Sequence, residues 1–221
     1  MLEHLWFPHD ISTFGPRIDW LFELIFWIVV IVWIAVMIAM VTFLIRYRTR
    51  PGRKAEYIEG NTRLEVIWTT ATAVILVVLA FMSRSTWADI KEHGPAGQVF
   101  YAVASKQFNW EITYPGPDGK LGTKDDVTVE NEFHVPVNTV VRFDLTSKDV
   151  IHSFFVPALR LKQDSVPGRV IKVWFEAREV GTWEIPCAEL CGFGHSGMKG
   201  SLVVDTPEAY AKWIKDKYSG Q

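Results

Sequence analysis

The chain of 221 residues is poor in cysteine, with only Cys187 and Cys191. Two thiols are too few for a disulfide framework or for a site that binds zinc or iron–sulfur through four thiolates. No Cys-x-x-Cys-His segment is present for covalent attachment of haem. The chain also lacks an excess of basic residues, since its formal net charge is −2. Nucleic acid is therefore not expected as a partner, because its binding depends on basic surfaces that displace counterions.

Long hydrophobic runs, in contrast, are present in the first part of the chain. Residues 24–45 form a run of 22 without a charge, and residues 66–83 form a second run of 18. The first is long enough to cross the roughly 30 Å of a bilayer's hydrocarbon as a helix. The second alone could also be a buried core helix, but two such runs close together favour a transmembrane hairpin, with spans at about residues 22–45 and 65–83.

The segment between these runs is strongly basic. A cleaved signal peptide would carry its basic residues before the hydrophobic run, whereas here they follow it. The positive-inside rule places residues 46–64 in the cytoplasm and both chain termini on the outer side. We therefore expect an N-terminal segment and hairpin over residues 1–83 and an exported domain over residues 84–221. The basic residues of the loop are Arg46, Arg48, Arg50, Arg53, Lys54 and Arg63.

The second part of the chain has the pattern of a β-sandwich. Short segments rich in Val, Ile, Phe and Trp alternate with turn residues. Residues 206–220 start with Thr206 and Pro207 and predict a short closing helix. The predicted strands cover residues 98–105, 109–114, 127–135, 139–147, 169–177, 181–186 and 198–205. The densest acidic cluster lies in and after the loop 115–126, which lacks EF-hand spacing; it comprises Asp118, Asp125, Asp126, Glu130 and Glu132.

One loop contains four side chains that suit copper. Cys187, Cys191, His195 and Met198 combine thiolate, imidazole and thioether, which are soft ligands. Two thiolates that face one pocket could bridge two copper ions, and the second imidazole would come from His152 in DVIHSFFVP. Two alternatives remain open from the residues alone. His152 could be an ordinary core histidine, and the cysteines could form a disulfide in an oxidising compartment.

The segments CAELCGFGHSGM, DVIH and LKQDSVPGR together resemble subunit II of the cytochrome c oxidases of the haem–copper family. The resemblance covers nearly the whole chain and implies a membrane α-helical hairpin of two transmembrane helices followed by an all-β, cupredoxin-like Greek-key sandwich. It also implies a binuclear copper centre, CuA, and a Mg or Mn ion shared with subunit I and held by the side chain of Glu189. The implied copper ligands are the bridging Cys187 and Cys191, one imidazole each from His152 and His195, the weak ligand Met198, and the backbone carbonyl of Glu189.

Two further roles follow from the same resemblance. KQFNWEITYPG is similar to the aromatic segment through which the family takes up electrons from cytochrome c. Phe108 stands where the family usually has Trp, and Trp110 lies nearby. RLEVIWT is similar to the start of the family's second helix, where Glu65 would mark the cytoplasmic mouth of a proton path into subunit I.

The resemblance implies a respiratory function in a bacterial inner membrane. CuA would accept electrons from cytochrome c, or from a membrane-bound c-type cytochrome, and pass them to haem in subunit I. There O2 would be reduced to water with proton translocation, so no residue of this chain would be catalytic. The alternatives are the CuA subunit of a related nitric oxide reductase and a membrane-tethered copper-binding or chaperone module. Six converging ligands favour retention of the metal over its release.

Overall fold

The computed structural model describes residues 7–54, 57–92, 94–95 and 99–219. The chain divides into a helical unit, residues 17–92, and a β unit formed by the residues on either side of it. The boundary expected at residue 84 falls inside a helix, because that helix continues beyond the hydrophobic run.

The helical unit contains two long helices, α1 (Gly15–Arg46) and α2 (Thr62–Lys91). Both are long and apolar enough to span a membrane, and their most apolar windows contain no residue buried within the structure. At the start of α2, the side chain of Asn61 accepts hydrogen bonds from the backbone N–H groups of Arg63 and Leu64, which caps the helix. The chain therefore has two membrane-spanning helices, in agreement with the predicted hairpin.

The β unit contains three sheets in the part of the chain that the structure describes. A five-stranded sheet has the order β3-β2-β1-β5-β8, a three-stranded sheet has the order β4-β10-β9, and β6 pairs with β7. Two of the pairings, β1 with β5 and β4 with β10, are parallel. The elements are β1 (Val99–Lys106), β2 (Asn109–Tyr114), β3 (Val127–Glu130), β4 (Glu132–Pro136), β5 (Val140–Ser147), β6 (His152–Val156), β7 (Leu161–Ser165), β8 (Ile171–Glu176), β9 (Gly181–Pro186), β10 (Lys199–Asp205) and α3 (Pro207–Ser219).

The core of the β unit is aromatic. Alternate residues of β2 and β5 are buried, as expected for strands with one face on the core. Phe133 of β4 packs edge-on against Phe143 and Phe175 of the five-stranded sheet, with ring centroids 5.6 and 6.0 Å apart. These contacts close a β-sandwich, as predicted.

One predicted strand is two strands in the structure. Residues 127–135 divide at Asn131, whose φ of 62° turns the chain from the five-stranded to the three-stranded sheet. The Asn131 side chain accepts a hydrogen bond from Trp110 N (2.9 Å), and its carbonyl accepts one from Ser201 N (2.7 Å). The turn at Asn131 is thus hydrogen-bonded to one strand of each sheet.

The residues before α1 form an arm, residues 7–14, that packs in the β unit. Ile11 N donates to Ala158 O (2.9 Å), Arg178 N donates to Ile11 O (2.8 Å), and Thr13 N donates to Glu176 O (3.2 Å). The side chain of Ile11 is buried, and Phe14 packs edge-on against Trp174 at 5.3 Å. The arm therefore extends the β-sandwich, which the sequence patterns did not predict.

Candidate metal centre

The hairpin of β9 and β10 positions the loop that carries the predicted metal ligands. Pro186 pairs with Lys199 at the end of the two strands, so the loop 187–198 closes the hairpin. Cys187 N donates to Met198 O (3.0 Å), which brings the first and last donor residues of the loop next to each other. The strand pairing therefore folds the short segment into a compact cluster of donors.

The second predicted histidine ligand lies on the neighbouring hairpin, which is formed by β6 and β7. His152 is the first residue of β6 and is fully buried. Phe154 forms an isolated bridge with Cys187, and Ala188 N donates to Ser153 O (3.0 Å). These bonds align β6 with the start of the loop, so the imidazole of His152 faces its donors.

The structure brings all six predicted donor groups together around the two sulfur atoms. The Sγ atoms of Cys187 and Cys191 are 3.8 Å apart, which is too far for the roughly 2.05 Å of a disulfide. Both cysteines are free and buried. The other donor distances are Cys187 Sγ to His152 Nδ1, 3.9 Å, and to Glu189 O, 3.2 Å; Cys191 Sγ to His195 Nδ1, 3.6 Å, and to Met198 Sδ, 3.8 Å; and His152 Nδ1 to Met198 Sδ, 3.2 Å.

The electrostatics of this cluster fit a cation. Burial, and after it the neighbouring Cys187 thiol, raise the pKa of Cys191 to about 11. The Cys191 sulfur is therefore a thiol at neutral pH, because a thiolate there would be poorly solvated and would lie beside a second sulfur. A bound metal ion supplies the positive charge that makes two adjacent thiolates stable. The donor set of thiolate, imidazole, thioether and carbonyl is suited to copper.

Asp149 orients the imidazole of His152. Its Oδ1 accepts a hydrogen bond from His152 Nε2 at 2.8 Å, which leaves Nδ1 directed at the sulfur atoms. Partial burial raises the pKa of Asp149, but hydrogen bonds from His152 and from the backbone N–H groups of Gln107 and Val150 outweigh this and lower the pKa below its usual value. Asp149 was not predicted from the sequence, although an acid three positions before a predicted ligand histidine is a usable signal.

The two residues predicted for electron uptake lie in different environments. Phe108, in the turn between β1 and β2, is 39% exposed. Trp110 is fully buried and donates from Nε1 to Ile185 O (3.2 Å). Its ring packs edge-on against His152, with centroids 6.2 Å apart. Of this pair, only Phe108 has a ring that is exposed at the surface of the β unit.

Comparison with known proteins identifies the family. Residues 104–206 match the family described as cytochrome C oxidase subunit II, periplasmic domain, and residues 3–85 match its transmembrane domain. The alternative cytochrome c oxidase subunit 2 of Bradyrhizobium diazoefficiens is 30% identical over 234 residues, which cover 96% of this chain and 84% of the relative. The chain belongs to the cytochrome c oxidase subunit II family.

A second relative and a solved structure support the same family. Cytochrome c oxidase subunit 2 of Thermostichus vulcanus is 30% identical to this chain and covers 93% of it, and 76% of that relative is matched. The crystal structure of the periplasmic domain of subunit II of Bradyrhizobium japonicum cytochrome oxidase has 30% sequence identity and a TM-score of 0.52. It covers 57% of this chain and 98% of that domain. The β unit thus has the cupredoxin-like fold of the subunit II family.

Membership of the family has direct consequences for the chain. Cytochrome c oxidase subunit II is part of an oxidoreductase complex of the membrane, and its partners include the other oxidase subunits. Its periplasmic domain is a copper domain, and the buried cluster of His152, Cys187 and Cys191, whose ligand atoms lie within 4.8 Å of one another, is compatible with that metal. Glu189 in the loop and Glu65 in the first turn of α2 are both exposed.

Proposed function

We propose that this chain takes up electrons from a c-type cytochrome at a binuclear CuA centre and passes them to haem in subunit I. The complete oxidase would reduce O2 to water and translocate protons. The supporting observation is the convergence of six donor groups, two of which are sulfur atoms 3.8 Å apart that are not bonded to each other. A single-copper site needs only one thiolate, whereas two facing thiolates suit a pair of ions.

The donor distances support a division of the ligands between two ions. Cys187 and Cys191 would bridge both. His152 and Met198, whose donor atoms are 3.2 Å apart, would complete the coordination of one ion. The coordination of the other ion would be completed by His195, which lies beside Cys191, and by the carbonyl of Glu189, which lies beside Cys187. When bound, the pair of copper ions supplies one-electron redox chemistry.

The protein's own part is to hold these donors still and away from water. His152, Met198 and Cys191 are each at most 4% exposed, and the strand pairings on both sides fix the loop. Donors that scarcely move between redox states lower the reorganisation that an electron transfer requires. Burial also disfavours the chaperone alternative, because a protein that hands over its metal needs accessible ligands.

The remaining assignments concern the membrane and subunit I. The six basic residues of the interhelical loop support a cytoplasmic position for residues 46–64 and an outer position for both termini, in a bacterial inner membrane. The exposed Glu189 side chain is available for a Mg or Mn ion shared with subunit I, while its carbonyl serves copper. Glu65, exposed near the end of α2 that would be cytoplasmic, is proposed as the mouth of a proton path.

Metal analysis and spectroscopy of the purified complex would test the proposal. We expect two copper ions in the wild-type subunit and an EPR spectrum of one electron shared by two copper nuclei. Cys191→Ser should leave at most one copper and abolish that pattern, while Ser196→Ala, in the same loop but outside the donor set, should keep it. Retention of the two-copper spectrum by Cys191→Ser would refute the bridging role. Consumption of NO but not O2 would assign the chain to a nitric oxide reductase.

A further inference from the structure

The turn that carries Phe108 touches the metal loop through a polar side chain. Gln107 Nε2 donates a hydrogen bond to the backbone carbonyl of Cys191, with a distance of 2.6 Å. Gln107 is the residue directly before the exposed ring of Phe108. A surface aromatic ring is thus joined to a bridging cysteine by one short hydrogen bond and otherwise by covalent bonds.

We propose that Gln107 is the electron conduit from the donor contact at Phe108 to the copper ligand Cys191. The route runs from Phe108 along the backbone into the Gln107 side chain, across the hydrogen bond to the Cys191 carbonyl, and through Cα and Cβ to Sγ. One electron leaves the donor haem iron and arrives at copper; no bond breaks and no proton moves. This proposal rests on the proposed function, and Gln107 was not among the residues predicted from the sequence.

The backbone of the turn is held in place from the other side. Asp149 Oδ2 accepts a hydrogen bond from Gln107 N at 2.7 Å, and the same carboxylate orients His152 through Oδ1. Gln107 is therefore anchored at its backbone and at its side-chain amide. Because the two anchors lead to two different copper ligands, the turn and the metal loop form one connected unit.

Close packing leaves the hydrogen bond little freedom to rearrange. A Cβ atom on Gly192 would lie 2.7 Å from Gln107 Nε2, and a Cβ atom on Gly194 would lie 2.5 Å from the ring of Phe108. Only glycine at these two positions lets the metal loop approach the turn this closely. Gly192 also has a φ of +133°, which side-chain-bearing residues rarely adopt.

Two competing routes through aromatic rings are poorer. Trp110 packs against His152 but is fully buried, so a donor cannot contact it. The Phe108 ring meets Gly194 without a bond, and an electron would have to cross that gap through space. A hydrogen bond with heavy atoms 2.6 Å apart is a closer contact than the 3.5–4.0 Å typical of non-bonded carbon atoms.

The test is Gln107→Met in the complete oxidase complex, with the rate of copper reduction measured by flash photolysis of a ruthenium-labelled cytochrome c. Methionine keeps the length of the side chain but places a methyl group where the amide donor was, so the contact with the Cys191 carbonyl lengthens by about 1 Å. Because tunnelling falls exponentially with such a gap, we expect reduction to slow roughly 3- to 10-fold. The EPR spectrum and reduction potential of copper should stay unchanged. Gln163→Met, on β7, is the matched control and should keep the wild-type rate.

The possible outcomes separate this proposal from the one on which it rests. If copper in the wild-type complex is reduced but Gln107→Met is reduced equally fast, the conduit is overturned and the proposed function stands. If Gln107→Met changes the EPR spectrum or the potential, Gln107 supports the site's structure and is not a conduit. If cytochrome c does not reduce copper even in the wild type, both proposals fail.

Discussion

Replacing Ile11 with Ala should loosen the N-terminal arm from the β-sandwich. The Ile11 side chain is 1% exposed, and its N–H and carbonyl bond to Ala158 and Arg178. Truncation of a buried Ile to Ala costs about 2–5 kcal/mol. We expect the free energy of detaching the arm to fall by about 2–3 kcal/mol, because the arm lies at the edge of the fold, where the site can partly collapse. The arm should then open more often while the sandwich remains folded.

Hydrogen exchange of the full chain in detergent would measure this opening. The amide of Arg178 donates to Ile11 O at 2.8 Å and is released only when the arm detaches. A loss of 2–3 kcal/mol corresponds to exchange that is faster by roughly 30- to 150-fold. Val180→Ala, at a position that is 55% exposed, is the matched control and should leave the rate near that of the wild type. Equal exchange of Arg178 in both variants would refute the idea that Ile11 fastens the arm.

Three further predictions concern the metal centre. Because the pKa of Cys191 is raised to about 11, copper binding must release the proton of this thiol. The copper affinity of the metal-free chain should therefore rise with pH through the neutral range, by up to about tenfold per pH unit for this proton. Competition with a chelator would measure that affinity. Glu189→Gln should keep the copper spectrum but lose Mg or Mn more readily from the complex during dialysis against a chelator, and loss of the copper absorption would show that the carbonyl and side-chain roles are wrongly divided. Phe108→Trp should preserve or raise the rate of reduction by cytochrome c, whereas Phe108→Ala should slow it without altering the copper spectrum; an unchanged rate in Phe108→Ala would place electron uptake elsewhere.

Much of the β-sandwich follows from alternation in the sequence, and the exceptions have physical causes. The predicted bounds of β2 and β9 agree with the structure, since each strand is bounded by turn residues. β6 was missed because four of its five residues are buried, so no alternation marks it. The division of residues 127–135 depends on Asn131, whose positive φ reflects contacts with residues distant in sequence.

The candidate site could also be predicted only in part from the sequence. The five side-chain donors could be predicted because metal chemistry restricts which residue types occur together, whereas the Glu189 carbonyl was implied only by the family resemblance. The structure brings all six groups within a few ångströms of one another. Gln107 was not predicted, because glutamine has no such restriction and its contact with Cys191 depends on where β1 ends relative to the metal loop. Asp149 was overlooked although it lies three residues before His152. The buried position of Trp110 was equally hidden, since β2 could have turned either face to the core.

The place of β10 in its sheet determines when the cluster of predicted metal donors can form. β10 follows β4 and β9 in the chain, yet it lies between them in the sheet. Until residues 199–205 have left the ribosome, β9 has no partner, and Met198 cannot meet Cys187 at the end of the hairpin. The proposed copper centre can therefore assemble only after β10 has been synthesised. Until then both thiols are open to oxidation, whereas in the folded domain they are buried.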